Sequence, residues 1–292
     1  MTRPPLPVRV EAPAKLNLGL RISGLRADGF HEIRSLFRTV SLCDELRVRT
    51  EPGSGEVSVI VEEGDAPTDG SNLACAAASS WIAATGAEID VSIRLRKRIP
   101  TAAGLGGGSS DAAAVLRVLE GSGTGRCGDL PGLALGLGSD VPFFLTGGSA
   151  LVEGRGEIVR PAACPPFRAV LLVPPVSVST PWAYSLWDSG RSSLTGTAPG
   201  RHLPASVTAW HEGKPFPIDL WNDFLPLLRE NLPEVREVAD ALEESCVDWG
   251  LSGSGPTFFV LFRTEGEAEA FAADPPCRAR VFACGSTSCD GA

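Results

Sequence analysis

Apolar and polar residues alternate strictly from Lys15 to Ile22, with Leu16, Leu18, Leu20 and Ile22 on one side and Lys15, Asn17, Gly19 and Arg21 on the other. A period of two predicts a β-strand, and Lys15 and Asn17 become neighbours on its polar face. The turn residues Arg26-Ala27-Asp28-Gly29 end this strand, and a mixed segment from Phe30 to Val48 follows, carrying Leu36, Val40, Leu42 and Leu46. Further strands are predicted at Val57 to Val61 and at Val91 to Ile99, where Val91, Ile93 and Leu95 alternate with Ser92, Arg94 and Arg96. Between them Asn72 is placed to cap an alanine-rich helix that runs to Ala84 and stops at Gly86. From Pro100 a glycine-rich loop opens into a helix, with Ser109 or Ser110 expected at its cap and Asp111 in its first turn. Glycine-rich stretches also interrupt residues 119–135 and span Gly136 to Gly148.

The second half predicts a strand at Ala169 to Val173 and a helix starting near Pro233, with Val235, Val238, Ala239 and Leu242 on one stripe. The turn LSGSGP and an apolar strand from Thr257 to Phe262 follow, and residues 285–292 read as a frayed end. Strands interleaved with helices indicate α/β or α+β layers, and the proline-rich stretch from Pro161 to Pro175 suits a domain boundary.

Composition narrows the function classes. The 292 residues carry a net charge of -9, which leaves no basic field for nucleic acid or an anionic membrane. No apolar run approaches the ~20 residues of a spanning helix, and the first residues lack a signal-peptide apolar core, so a cytoplasmic location is expected. Eight cysteines at 43, 75, 127, 164, 246, 277, 284 and 289 form no CxxC pair and no cluster with histidine, which suggests neither a zinc site nor a disulfide framework. Only three of the 26 basic residues are lysines, namely Lys15, Lys97 and Lys214, so each of them invites a question.

The chemistry concentrates at Gly104 to Asp111. Glycines let backbone N–H groups approach an anion closely, and a helix beginning immediately afterwards adds its positive end, so this junction is suited to a phosphate. Ser109 and Ser110 add hydroxyls for phosphate or magnesium. It is not a Walker loop, because the only Gly-Lys is Gly213-Lys214, followed by Pro215. A dinucleotide fingerprint begun at Gly104 and Gly106 puts Ser109 where Gly or Ala belongs, and GxSxG and HExxH are absent.

PTAAGLGGGSSDAAA from Pro100 resembles the phosphate-binding motif of the GHMP kinases, the family of galactokinase, homoserine kinase, mevalonate kinase and phosphomevalonate kinase. Its three-glycine form is similar to the branch that acts on a cytidine diphosphate-linked methylerythritol. PAKLNLGLRI from Pro13, RADGFHEIRSLFRTVSLCDEL from Arg26, GSDVPFF from Gly138 and LSGSGPTFFVLF from Leu251 resemble the other family blocks in the same order, and STPWAYSLWD from Ser179 and NDF from Asn222 match more weakly.

The resemblance implies an α+β protein with the GHMP kinase fold: an N-terminal α/β ATP-binding domain, residues 1–160, and a C-terminal ferredoxin-like α+β domain, residues 161–292. It implies ATP and magnesium as cofactors, and phosphorylation of the substrate's 2-hydroxyl in the nonmevalonate isoprenoid precursor pathway. Asp140 is the implied general base with Lys15 beside it. Pro100, Gly104, Leu105, Gly106, Gly107, Gly108, Ser109 and Ser110 would hold the nucleotide, with Lys97 flanking it. Asn17, Asp28, Phe30, His31, Thr180 and Tyr184 would hold the substrate, Phe30 and Tyr184 by stacking on cytosine, while Ser252 and Asn222 are further pocket candidates. The family's DGYH motif reads DGFH here, so the phenol's hydrogen bond is lost at Phe30. The partner expected is the small molecule alone, without nucleic acid or membrane, acting on a monomer or homodimer. Two alternatives stay open: another small-molecule kinase of the family, or a noncatalytic sensor of nucleotides or sugar phosphates that kept the fold.

Overall fold

The computed structural model describes residues 6–190 and 220–287. Lys214 and Cys289 lie outside the described residues. The chain divides into two compact units: Met1–Ala14, Leu42–Thr101 and Gly106–Gly147 form the first, and Lys15–Ser41, Ala102–Leu105 and Gly148–Ala292 form the second. This is a different division from the consecutive stretches 1–160 and 161–292. The first two strands, β1 (Val8–Leu25) and β2 (His31–Pro52), are long enough to contribute to both units. The mixed pattern from Phe30 to Val48 is thus almost entirely one strand.

In the first unit, residues Glu45–Pro52 of β2 run antiparallel to β4 (Ile89–Arg96), and β4 runs parallel to β3 (Val57–Glu63). Helices α1 (Leu73–Thr85) and α2 (Gly107–Gly121) pack along each other, joined by α3 (Leu130–Leu137) and α4 (Val141–Thr146). The ends of α1 follow from local chemistry. The Asn72 side chain accepts from the Ala74 N–H, and Gly86 takes the left-handed conformation at φ 68, which a residue with a Cβ adopts only under strain. Buried alanines on α1 and α2 permit a close approach, and Trp81 is fully buried with its Nε1 donating to Glu120 at 2.9 Å.

In the second unit, residues Ile33–Arg38 of β2 run antiparallel to β5 (Ser149–Gly154), which pairs with β6 (Ile158–Pro161). Beyond these, β7 (Arg168–Val173) leads to α5 (Thr180–Gly190), α6 (Leu225–Asn231) and α7 (Pro233–Glu244), then to β8 (Trp249–Leu251), β9 (Phe258–Phe262), α8 (Glu265–Ala273) and β10 (Arg280–Gly285). The four strands form an antiparallel sheet in the order β10-β7-β9-β8, which with its helices is the ferredoxin-like arrangement. Val235, Val238, Ala239 and Leu242 of α7 are buried with Val170, Phe258 and Val260 from the sheet and with Leu20, Ile22 and Ile33 from β1 and β2. The frayed end expected from residue 285 is ordered through Thr287: Gly285 completes β10, Ser286 bridges Val40, and the Thr287 hydroxyl meets that of Thr39 at 2.6 Å. Among the described residues no helix is long and apolar enough to cross a membrane.

Candidate active site

The alternation on β1 holds, yet the start of its polar face is as buried as its apolar one: Lys15 is 3% and Asn17 1% exposed, and only Arg21 remains partly open. Buried polar groups need partners, and these form a chain. Lys15 Nζ donates to Asn17 Oδ1 at 2.5 Å, Asn17 Nδ2 donates to Ser35 Oγ at 2.9 Å, and Ser35 Oγ donates to the Gly19 carbonyl at 2.6 Å. The Lys15 ammonium also stands 4.9 Å from the centroid of the Phe37 ring.

Two other segments of the second unit meet β1 here. The Lys15 N–H donates to the Leu105 carbonyl at 2.9 Å, and Ser252 Oγ donates to the Gly104 carbonyl at 3.0 Å while accepting from the Asn17 N–H at 3.3 Å. Gly253 sits at φ +57, where a side chain is strained, and a Cβ there would stand 3.0 Å from the Gly104 carbonyl oxygen and 3.2 Å from Lys15 Nζ, so a larger residue would press on both. Asn222, fully buried, holds this turn: its Nδ2 donates to the carbonyls of Leu251 and Gly253 at 2.9 and 2.8 Å. Thr180 joins the same corner, its hydroxyl 3.0 Å from that of Ser254.

The DGFH segment is also in the second unit. Asp28 Oδ1 accepts from the Phe30 N–H at 3.2 Å, and hydrogen bonds from Arg26 and then Phe30 hold the Asp28 carboxyl below its ordinary pKa. Phe30 is 45% exposed with the Arg155 guanidinium 4.4 Å from its ring centroid. His31 is buried and stacks on Tyr184, centroids 4.5 Å apart at 18°, with Trp187 edge-on at 5.3 Å. Its Nε2 donates to the Asp188 carboxylate at 2.8 Å. The observed stacking partner of Tyr184 is thus His31, one residue beyond the Phe30 expected to face it across a base.

In the first unit, Gly106 is the N-cap of α2 at φ 73 and the helix begins at Gly107, so neither Ser109 nor Ser110 caps it. The left-handed glycine turns the chain into the helix earlier than a serine cap would, and no side chain caps the first-turn N–H groups. Asp111 correspondingly lies beyond the first turn. Beneath the loop, Lys97 is 9% exposed and its ammonium donates to Asp111 Oδ2 at 2.8 Å and to Asp44 Oδ2. Asp44 Oδ1 accepts from the N–H groups of Arg98 and Ile99 at 2.6 and 2.9 Å, which fixes the backbone just before Pro100. A Cβ at Gly107 would lie 3.1 Å from Lys97 Nζ, so this ammonium supports the loop directly.

Burial works against the Lys97 charge, but attraction by Asp111 and Asp44 outweighs it and the pKa rises. Burial pushes the Asp111 carboxyl up to about 7 against the pull of Lys97, with Asp44 adding repulsion. Such buried pairs are weak contributors to stability, so the group matters mainly for the shape it gives the loop. Sequence reasoning noted Lys97 but not Asp44, whose partner lies 53 residues away.

Ser110 Oγ is buried without a hydrogen-bond partner, and Ser109 Oγ would stand 3.6 Å from a Cβ placed at Gly138. The GSDVPFF segment therefore comes up against the serine end of the loop. Asp140 follows at the N-cap of α4, but its carboxylate makes no capping hydrogen bond. An uncapped helix start, a Cβ-free cradle and an orphaned hydroxyl are features a nucleotide phosphate fits. No group of three or more His, Cys, Asp or Glu arranged for a metal occurs among the described residues.

A protein of Deinococcus radiodurans named 4-diphosphocytidyl-2-C-methyl-D-erythritol kinase is 40% identical over 281 residues, covering 94% of this chain and 91% of that one. The chain belongs to the 4-diphosphocytidyl-2-C-methyl-D-erythritol kinases, within the GHMP kinase family. A second kinase of the same name, from Pelotomaculum thermopropionicum, is 41% identical over 257 residues, 86% of this chain and 87% of that one. The family's "GHMP kinases N terminal domain" matches residues 72–148 and its "GHMP kinases C terminal" matches residues 218–277. A crystal structure of 4-(cytidine 5'-diphospho)-2C-methyl-D-erythritol kinase superposes with a TM-score of 0.79 at 36% identity, covering 96% of this chain and all of the other. Homoserine kinase from Cytophaga hutchinsonii, at 18% identity and TM-score 0.64, covers 98% of this chain and 96% of its own, and shares the fold. The GHMP kinase fold is thereby established for this kinase, as is its use of ATP.

Proposed function

We propose that this kinase transfers the γ-phosphoryl group of ATP to the 2-hydroxyl of 4-diphosphocytidyl-2-C-methyl-D-erythritol, with magnesium, in the cytoplasm. The observation that carries this reading is identity near 40% over nearly the whole chain to kinases of that name. The alternatives, a different family substrate or a sensor, would have to explain why the phosphate-loop glycines, Lys15 and the DGFH turn all persist together.

In this reading Asp140 takes the proton from the 2-hydroxyl as that oxygen attacks, and the Lys15 ammonium offsets the charge that develops at the reacting oxygens. The rigid hold on Lys15 by Asn17 and Phe37 suits such a task, because a preorganised charge needs no rearrangement at the moment of reaction. Gly104, Leu105, Gly106, Gly107 and Gly108 offer backbone to the phosphates, Pro100 and Lys97 set the loop's entry, and Ser109 and Ser110 are the residues that would hold phosphate and metal. Magnesium, when bound, neutralises phosphate charge. Asp28 aims Phe30 and His31 at the cytidine end, where Tyr184 and Thr180 complete the pocket.

The test is direct. The purified chain is given ATP, magnesium and the cytidyl alcohol, ADP release is followed, and the phosphorylated position is read by phosphorus NMR; homoserine and mevalonate serve as competitors. Phosphate on the 2-hydroxyl supports the proposal. Turnover of another alcohol in preference, or nucleotide binding with no transfer to any of them, would overturn it.

A further inference from the structure

An ammonium can only donate, so Lys15 requires the oxygen end of the Asn17 amide rather than its nitrogen end. The two ends have nearly the same shape, so a second neighbour bears on which way the amide faces. What holds the amide in one orientation is its other neighbour. Ser35 carries a single hydroxyl hydrogen, directed at the Gly19 carbonyl at 2.6 Å. Toward Asn17 it can therefore only accept, and it does so from Nδ2 at 2.9 Å. The donors run in one direction: Lys15 to Asn17, Asn17 to Ser35, Ser35 to the strand's own backbone. Reversing the amide would set two donors face to face at Lys15 and two acceptors face to face at Ser35. Lys15, Asn17 and Ser35 are 3%, 1% and 0% exposed, so water offers no easy substitute.

We infer that Ser35 is a positioning residue for phosphoryl transfer: it never meets the substrate, but fixes the Asn17 amide and through it the Lys15 ammonium. This inference rests on the reading of Lys15 as the cation at the reacting oxygens. Because the relay ends on the Gly19 carbonyl, β1 supplies both its first and its last member; Ser35 of β2 accepts from the amide nitrogen, and the Ser252 hydroxyl lies 3.5 Å from the amide oxygen, on the side that Lys15 occupies.

Three substitutions at this position separate positioning from mere packing. Ser35→Cys keeps the shape but is a poor acceptor, Ser35→Ala removes the acceptor, and Ser35→Thr keeps it. Ser35→Cys and Ser35→Ala are expected to lower kcat on the order of tenfold, the loss of about one buried hydrogen bond, with KM for ATP and for the cytidyl alcohol within about threefold. Ser35→Thr is expected to restore kcat to within about threefold. A second readout needs no substrate: the Asn17 side-chain amide, identified in nitrogen-15 NMR spectra by its loss in Asn17→Asp, should be protected from hydrogen exchange in the parent and Ser35→Thr and exposed in Ser35→Ala. Unchanged kcat in Ser35→Cys and Ser35→Ala, or amide protection independent of residue 35, would overturn the inference. If the parent chain fails to turn over the cytidyl alcohol, the substrate assignment falls, while the amide exchange still decides whether Ser35 holds Asn17.

Discussion

Replacing Gly104 by alanine tests how tightly the phosphate loop is fitted to the turn at residues 252–255. Gly104 sits at φ +74, where a Cβ alone costs about 1 kcal/mol. That Cβ would overlap the Ser252 carbonyl oxygen and lie 2.9 Å from the Gly255 carbonyl oxygen, both backbone atoms with no rotamer to change. Relieving the overlap means separating the two segments, which also strains the 3.0 Å hydrogen bond from Ser252 Oγ to the Gly104 carbonyl, a further loss of about 1 kcal/mol. With about 1–3 kcal/mol for the overlap itself, the expected cost is roughly 3–5 kcal/mol. Gly86→Ala is the matched control: its φ is +68, but nothing lies within 4 Å of the added Cβ, so only the backbone cost of about 1 kcal/mol applies. Urea midpoints for both variants, together with KM for ATP, give the comparison. Gly104→Ala should be the less stable by roughly 2–4 kcal/mol and should bind ATP more weakly. Equal midpoints with an unaltered KM for ATP would show that the loop is not seated on this turn.

Asp111→Asn should change the pH dependence of stability. The folded carboxyl titrates near about 7 against an ordinary 3.8, so its contribution is fully present below the ordinary value and is lost as pH rises through the folded one; the Tm of the asparagine variant relative to the parent should therefore climb across that interval, and a constant difference would contradict the burial argument. Asp140→Asn is expected to lower kcat by at least a hundredfold, on the order of a lost general base, with nucleotide and substrate affinity retained; near-normal turnover in steady-state assays would reject the base. Alanine at Phe30 or Tyr184 should weaken cytidine diphosphate binding by roughly tenfold, as loss of base stacking does, measured by calorimetry. Among the described cysteines, exposed Cys246 should react with a thiol reagent at pH 8 long before buried Cys284, whose thiol burial pushes up to about 12; equal rates in the folded protein would refute this.

Local signals carried much of the fold. Asn72 and Gly86 bound α1 as expected because capping and a left-handed stop act over a few residues. The alternation of β1 was legible, but the burial of Lys15 and Asn17 was not, since that depends on Ser35 and Ser252, far away along the chain. The same holds for Asp44 and Lys97, whose pairing requires β2 and the end of β4 to be side by side. At α2 a local expectation lost to a stronger local one: a serine cap gave way to Gly106 in the left-handed region. The lengths of β2 and β10 were set by pairing, which no single segment records. At the site, motif spacing marked Lys15, the glycine loop and the DGFH turn, while Asp188 and Arg155 emerged only from side-chain geometry.

Because each compact unit is assembled from interleaved stretches of chain, gene fragmentation or domain shuffling should treat this kinase harshly. A truncation after residue 160 would keep Leu20, Ile22 and Ile33 but discard Val170, Phe258 and Val260, against which they are buried. The amputated piece would present a greasy surface to chaperones and proteases rather than survive as a smaller nucleotide binder, so evolution can vary this enzyme by editing loops far more readily than by swapping halves.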